Sequence, residues 1–129
     1  MKISSKTHYG VQILSLLAAA DGTVSAKELE KRTGVSSKYL EKVLKILLSA
    51  NAVKATRGKN GGYMLAKDAG DIRMGEIVGA LEEDNLEFID CVNSSGCCCP
   101  SSKLWQKLYD EMLTILNGIT LNDIVEGNI

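Results

Sequence analysis

The thirty residues from Val24 to Val53, "VSAKELEKRTGVSSKYLEKVLKILLSANAV", leave the backbone little choice. Ser25 and Glu28 have the spacing of a capping box, in which a serine oxygen and a glutamate carboxylate each satisfy a free N–H of a helix start. The helix they open is short. Val24, Ala26 and Leu29 supply its buried face, and Gly34 ends it. Ser36 then stands as the cap of a longer helix, where Leu40, Val43, Leu44, Leu47 and Leu48 form one apolar stripe. Lys38, Glu41, Lys42 and Lys45 fall on the opposite face. A short helix, a tight turn and a longer helix with a basic outer face make a helix-turn-helix pattern. The second helix of such a unit can enter a major groove.

On either side the periodicity is as informative. Ser4 or Ser5 can cap a first helix, with apolar Val11, Ile13, Leu14, Leu16, Leu17 and Ala18, that runs to about Ala20. After Asn51, "AVKAT" and "GYMLA" read as two short strands around "RGKNGG". Gly58, Gly61 and Gly62 permit positive φ at the turn and close approach of another backbone. A ribbon with a basic tip beside a helix-turn-helix is a wing. A fourth helix is expected over Met74–Leu81. Pro100 is then read as the first residue of a long helix in which Leu104, Trp105, Leu108, Met112, Ile115, Leu116 and Ile119 recur at helical spacing. Gly118 stops it, and Thr120 with Asp123 is spaced as a cap pair for a last turn or two. The fold class expected is mostly α: a winged helix-turn-helix with a long C-terminal helix.

Charge divides the chain. Residues 1–70 carry twelve Lys and Arg against five Asp and Glu, a net +7, while residues 71–129 carry three against eleven, a net −8. A basic region joined to an acidic one fits a nucleic-acid-binding part attached to a different working part. We therefore divide the chain into a winged helix-turn-helix region, 1–70, and a loop-and-helix region, 71–129, within one compact unit. The longest apolar run near the start, "VQILSLLAAA", has ten residues, too few to span a bilayer. No signal peptide is expected, because "MKISSKTHYG" has no apolar run before Val11. The expectation is a cytoplasmic protein without a membrane partner, in a compartment that keeps thiols reduced.

The four cysteines all lie in "CVNSSGCCC", at Cys91, Cys97, Cys98 and Cys99. Thiolates are soft donors suited to iron–sulfur clusters or zinc. Closed zinc sites commonly use two short Cys/His pairs, and a second pair is missing. A disulfide between adjacent cysteines would be strained. If the chain is locally extended, Cys97 and Cys99 share a side and Cys98 points elsewhere. Catalysis finds no support, since the chain has one histidine and no nucleotide-binding loop.

Taken together, "MKISSKTHYG", "SSKYLEKVLKILLSANAV", "RGKNGGYMLAKDAGDIRMGEIVGALE", the Leu104–Trp105 pair and "TLNDIV" resemble the Rrf2-type transcriptional regulators over nearly the whole chain. That family includes iron–sulfur-cluster and nitric-oxide sensors. The resemblance implies a homodimeric DNA-binding protein, expected to be a repressor, whose long C-terminal helix pairs across the two-fold. Leu104, Trp105, Leu108, Met112, Ile115, Leu116 and Ile119 are then the dimerisation residues. It further implies a [2Fe–2S] cluster, or in some members [4Fe–4S], held by three cysteines before that helix and a fourth, non-cysteine ligand.

Cys91 and Cys97 match the first two family ligands. The third lies six residues before the tryptophan, the distance of Cys99 from Trp105. The family leaves several residues between its second and third cysteines, whereas this loop is shorter, so Cys98 stays open as an alternative to Cys97 or Cys99. Where one branch of the family places its fourth ligand, a histidine three residues after the third cysteine, this chain has Ser102. Another branch uses a carboxylate from the partner subunit near the start of the first helix. At that position stands His8, the single histidine, and imidazole is a competent iron ligand. His8 of the partner subunit is thus the expected fourth ligand.

For DNA, the first turns of the recognition helix offer Ser36, Ser37, Lys38, Tyr39 and Lys42 to base edges and phosphates. Tyr39 and Glu41 match family positions that help read operators, whereas Lys38 and Lys42 replace a serine and a glutamine there. Arg57 and Lys59, at the wing tip, suit a minor groove of enhanced negative potential. The runner-up is a DNA-binding regulator whose cysteines act as a metal-free thiol switch. A third reading, of a different class, is an iron–sulfur or zinc carrier or enzyme.

Overall fold

The computed structural model describes residues 2–82 and 100–129. Six α-helices and a two-stranded ribbon are found among them. They are α1 (Ser5–Ala19), α2 (Ala26–Thr33), α3 (Ser37–Ser49), β1 (Val53–Thr56), β2 (Gly62–Leu65), α4 (Met74–Leu81), α5 (Ser102–Gly118) and α6 (Leu121–Glu126), with a 3-10 turn at Ala69–Asp71.

Helix boundaries follow local chemistry. Ser4, Ser25 and Ser36 cap α1, α2 and α3, each side chain accepting from an N–H three residues on. The capping box expected at α2 is only half made. The Ser25 hydroxyl accepts from the Glu28 N–H at 3.2 Å, but the Glu28 carboxylate turns to Arg32, 3.1 Å from its Nε. An ion-pair partner one helical turn away competes with the backbone for that carboxylate. The Thr120–Asp123 pair makes both halves of its box. Gly34 ends α2 with φ 75°, a left-handed conformation that favours glycine.

At the wing, β1 and β2 pair antiparallel with Val53 opposite Leu65 and Thr56 opposite Gly62. Only one of the three glycines behaves as a turn residue: Gly58 has φ 115°. Gly61 and Gly62 serve close approach instead. A Cβ on Gly61 would meet the Thr56 carbonyl oxygen, and one on Gly62 the Val24 carbonyl oxygen. The second contact has a purpose. Val24 pairs with Tyr63 through two hydrogen bonds of 2.8 Å, which tie the ribbon to the α1–α2 connection.

The core shows why the charge boundary at residue 70 is not a packing boundary. Ile13, Leu14, Leu29, Leu44, Leu47 and Val53 form one buried cluster with Ile72, Ile77, Leu81 and Leu121 from the acidic region. Fully burying each such side chain contributes about 1.5–3 kcal/mol. The start of α4 is clamped to the α5–α6 junction: Met74 N–H donates to Ile119 O (2.9 Å), Leu121 N–H to Ile72 O (2.8 Å), and Arg73 Nη1 to Asn117 O (2.9 Å).

The long helix differs from the rest. It starts at Ser102, with Ser101 as the cap residue, so Pro100 precedes the helix rather than opening it. The Ser101 carbonyl accepts from the Leu104 and Trp105 N–H groups. No α5 residue is buried. Among the described residues, no helix is long and apolar enough to cross a membrane.

Candidate nucleic-acid interface and ligand positions

The first turns of α3 stand at the surface. Ser36, Ser37, Lys38, Glu41, Lys42 and Lys45 are exposed, while Leu40, Val43, Leu44 and Leu47 anchor the opposite side in the core. Ser36 already uses its oxygen to accept the Tyr39 N–H at 3.2 Å, leaving its hydroxyl proton for an outside acceptor. Tyr39 is half-buried, and its ring meets that of Tyr9 on α1 edge to face, with centroids 5.9 Å apart. Arg57 and Lys59 lie exposed in the β1–β2 turn. That turn is held from outside the ribbon by the Thr23 hydroxyl, which donates to Asn60 O at 2.8 Å. The helix presents a rigid cationic face, and the wing tip presents cations on a tethered loop. Both arrangements suit phosphate contact.

The seven apolar positions singled out on the long helix divide into two sets. Leu104, Leu108 and Ile115 are 53%, 42% and 62% exposed, on one stripe of α5. Trp105, Met112, Leu116 and Ile119 are half-buried. Leu116 and Ile119 pack against the chain's own core, and Trp105 Nε1–H donates to Ser101 Oγ at 3.2 Å. Ile119 lies just past the helix, as its C-terminal cap residue.

Cys91, Cys97, Cys98 and Cys99 lie outside the described residues. Among the described residues, no three His, Cys, Asp or Glu side chains gather as a metal site. His8 is exposed in the first turns of α1, its ring edge-on to Tyr9 at 5.1 Å. Immediately before it, Thr7 donates its hydroxyl to Glu82 Oε1 at 2.6 Å. Glu82 is the last described residue before the cysteine-bearing segment. Sequence reasoning singled out neither Tyr9 nor Glu82. One is an ordinary aromatic in "THYG" and the other a member of the acidic run "EED", so neither carries a local signal.

Comparison with known proteins settles the family. The model described as "Iron-dependent Transcriptional regulator", Rrf2, matches residues 3–127. The chain belongs to the Rrf2 family. It is 34% identical to the HTH-type transcriptional regulator IscR of Cronobacter sakazakii, over 98% of this chain and 82% of the relative. The T. potens IscR structure matches with TM-score 0.82 and 34% identity, covering 100% of this chain and 89% of the other. The oxidized form of Staphylococcus aureus CymR matches with TM-score 0.78 and 31% identity, covering 98% of this chain and 97% of that one. As an Rrf2 protein, the chain is a DNA-binding transcriptional regulator rather than an enzyme, with the winged helix-turn-helix fold expected from its sequence.

Proposed function

We propose that this Rrf2 protein is a homodimeric repressor that senses iron–sulfur status, redox state or nitric oxide through a cluster, [2Fe–2S] in the first instance. Cys91, Cys97 and Cys99 supply three thiolates, with Cys98 the alternative to either of the last two, and His8 of the partner subunit supplies an imidazole. Such a donor set fits iron–sulfur ligation. The observation that carries this reading is the position of His8. It is exposed one residue from Thr7, whose hydroxyl bonds to Glu82 at the threshold of the cysteine segment. The family description as iron-dependent supports the same chemistry. When bound, the cluster supplies a redox- and nitric-oxide-responsive centre.

The chain's own residues do the rest. Leu104, Leu108 and Ile115 pair with a second copy along α5. Ser36, Ser37, Lys38, Tyr39, Glu41 and Lys42 meet the major groove, and Arg57 and Lys59 the minor groove. Half-sites are read at a fixed separation, so a shift of one α3 relative to the other changes affinity.

The test is a visible spectrum with iron and sulfide content of oxygen-protected protein, native and His8→Ala. The expected result is about two iron and two sulfide per subunit on the composition of a [2Fe–2S] centre, with an altered charge-transfer band in the variant. An unchanged spectrum and cluster lifetime in His8→Ala would remove that ligand. A second reading, a metal-free thiol switch, draws on the likeness to CymR, which has been solved in an oxidized form. Colourless protein whose DNA affinity follows added reductant would favour it.

A further inference from the structure

Glu82 ends α4, and its Oε1 is shared by two donors from the start of α1. The Ser4 backbone N–H donates at 2.8 Å and the Thr7 hydroxyl at 2.6 Å. Ser4 is also the cap of α1, and its Oγ lies 3.2 Å from Thr7 Oγ1. Burial pushes the Glu82 carboxyl up, but the hydrogen bonds from Thr7 and Ser4 and the charge of Lys6 outweigh it and hold the group below its ordinary value. An ionised carboxylate at a helix N-terminus is also favoured by the helix dipole. One residue earlier, buried Leu81 fills the space where a side chain on Gly10 would stand. The end of α4 and the first two turns of α1 therefore form one joined unit.

At the exposed start of the DNA-facing helix, that unit meets it through an aromatic contact. Tyr9, two residues beyond Thr7, packs edge to face on Tyr39 in the first turn of α3. The rest of α3 is fixed by Leu40, Val43, Leu44 and Leu47 in the core. The core residues set where the helix lies. Its exposed first turn, where base-reading side chains sit, is steadied by the Ser36 cap and by Tyr9.

We propose that Glu82 is a positioning residue for operator recognition: by holding the first turn of α1 it sets Tyr9, and through Tyr9 it sets Tyr39 and the start of α3. Losing the carboxylate frees two donors at a helix end, the part of a helix that frays most readily. Tyr39 then loses its fixed neighbour while the core of α3 stays in place. Base contacts demand that geometry more than phosphate contacts do. Specific binding falls, and non-specific binding and the fold persist. The inference rests on α3 being the recognition helix.

The experiment measures affinity at one stated salt concentration for two probes. One is a duplex selected by the native protein from a random-sequence pool, and the other is poly(dI–dC). Glu82→Ala is expected to weaken the selected duplex about tenfold, within the range of couplings between contacting groups, and poly(dI–dC) less than about twofold. Glu82→Gln, whose amide oxygen accepts from both donors, restores most of the loss. Tyr9→Leu combined with Glu82→Ala is no weaker than the worse single variant. Thr7→Val, nearly isosteric, carries the same test should Glu82→Ala not fold. Equal losses on both probes, or no rescue by glutamine, would overturn the proposal. Lys42→Ala separates the premise: if it leaves the selected duplex unaffected, the α3 reading falls and Glu82 with it. If Lys42→Ala weakens binding and Glu82→Ala does not, Glu82 alone is refuted.

Discussion

Ile115→Ala is expected to weaken self-association by about thirtyfold. Ile115 is 62% exposed on α5, the most open of the three apolar side chains on that stripe. Burying a whole isoleucine contributes about 1.5–3 kcal/mol, so the exposed part holds roughly 1–2 kcal/mol still to be gained against a partner. Alanine keeps some of that area, which leaves a loss of about 1 kcal/mol per copy. In a two-fold interface every substitution counts twice. The total is about 2 kcal/mol, and at tenfold per 1.4 kcal/mol that is a factor near thirty in the dimer dissociation constant. Sedimentation equilibrium over a concentration series measures it. Asp110→Ala, an exposed polar position on the same helix, is the control and is expected to change little. A dimer constant unmoved by Ile115→Ala, or moved equally by both variants, would refute pairing along this stripe.

Other consequences are open to direct measurement. The Glu82 carboxyl sits below its ordinary value of 4.5 when folded, so its stabilising effect is full above pH 4.5 and lost as pH falls through the folded value. The denaturation midpoint of the native protein should exceed that of Glu82→Ala at pH 7, and the gap should narrow as pH falls below 4.5; a gap unchanged in acid contradicts the assignment. Leu47, fully buried in α3, should cost about 2–5 kcal/mol when cut to alanine, read by urea unfolding, and a loss under 1 kcal/mol would mean that the core around it collapses freely. Arg57→Ala should weaken binding most on duplexes with A·T-rich flanks, where the minor groove is narrow, and an equal effect on all flanks would remove Arg57 from that groove.

Local features of the sequence determined most of the elements. Serine caps, Gly34 and apolar spacing set α1 to α4 within a residue or so, because each signal acts within one or two helical turns. The cationic face of α3 was legible for the same reason: Lys38, Lys42 and Lys45 oppose a stripe that had to be buried. What the sequence left open involved choices between competing partners. Glu28 could cap Ser25 or pair with Arg32, and the ion pair prevailed. Gly61 and Gly62 could have turned the chain, but they admit the Thr56 and Val24 carbonyls instead. Pro100 could have opened α5, yet the helix begins at Ser102 with Ser101 as its cap residue. The seven apolar residues of the long helix looked like one face until the core claimed Leu116 and Ile119. Glu82 and Tyr9 were beyond local reading altogether. Their partners lie 75 to 78 residues away for Glu82 and on another helix for Tyr9. Spacing along a chain encodes which face of a helix is buried, but only packing decides which distant group that face meets.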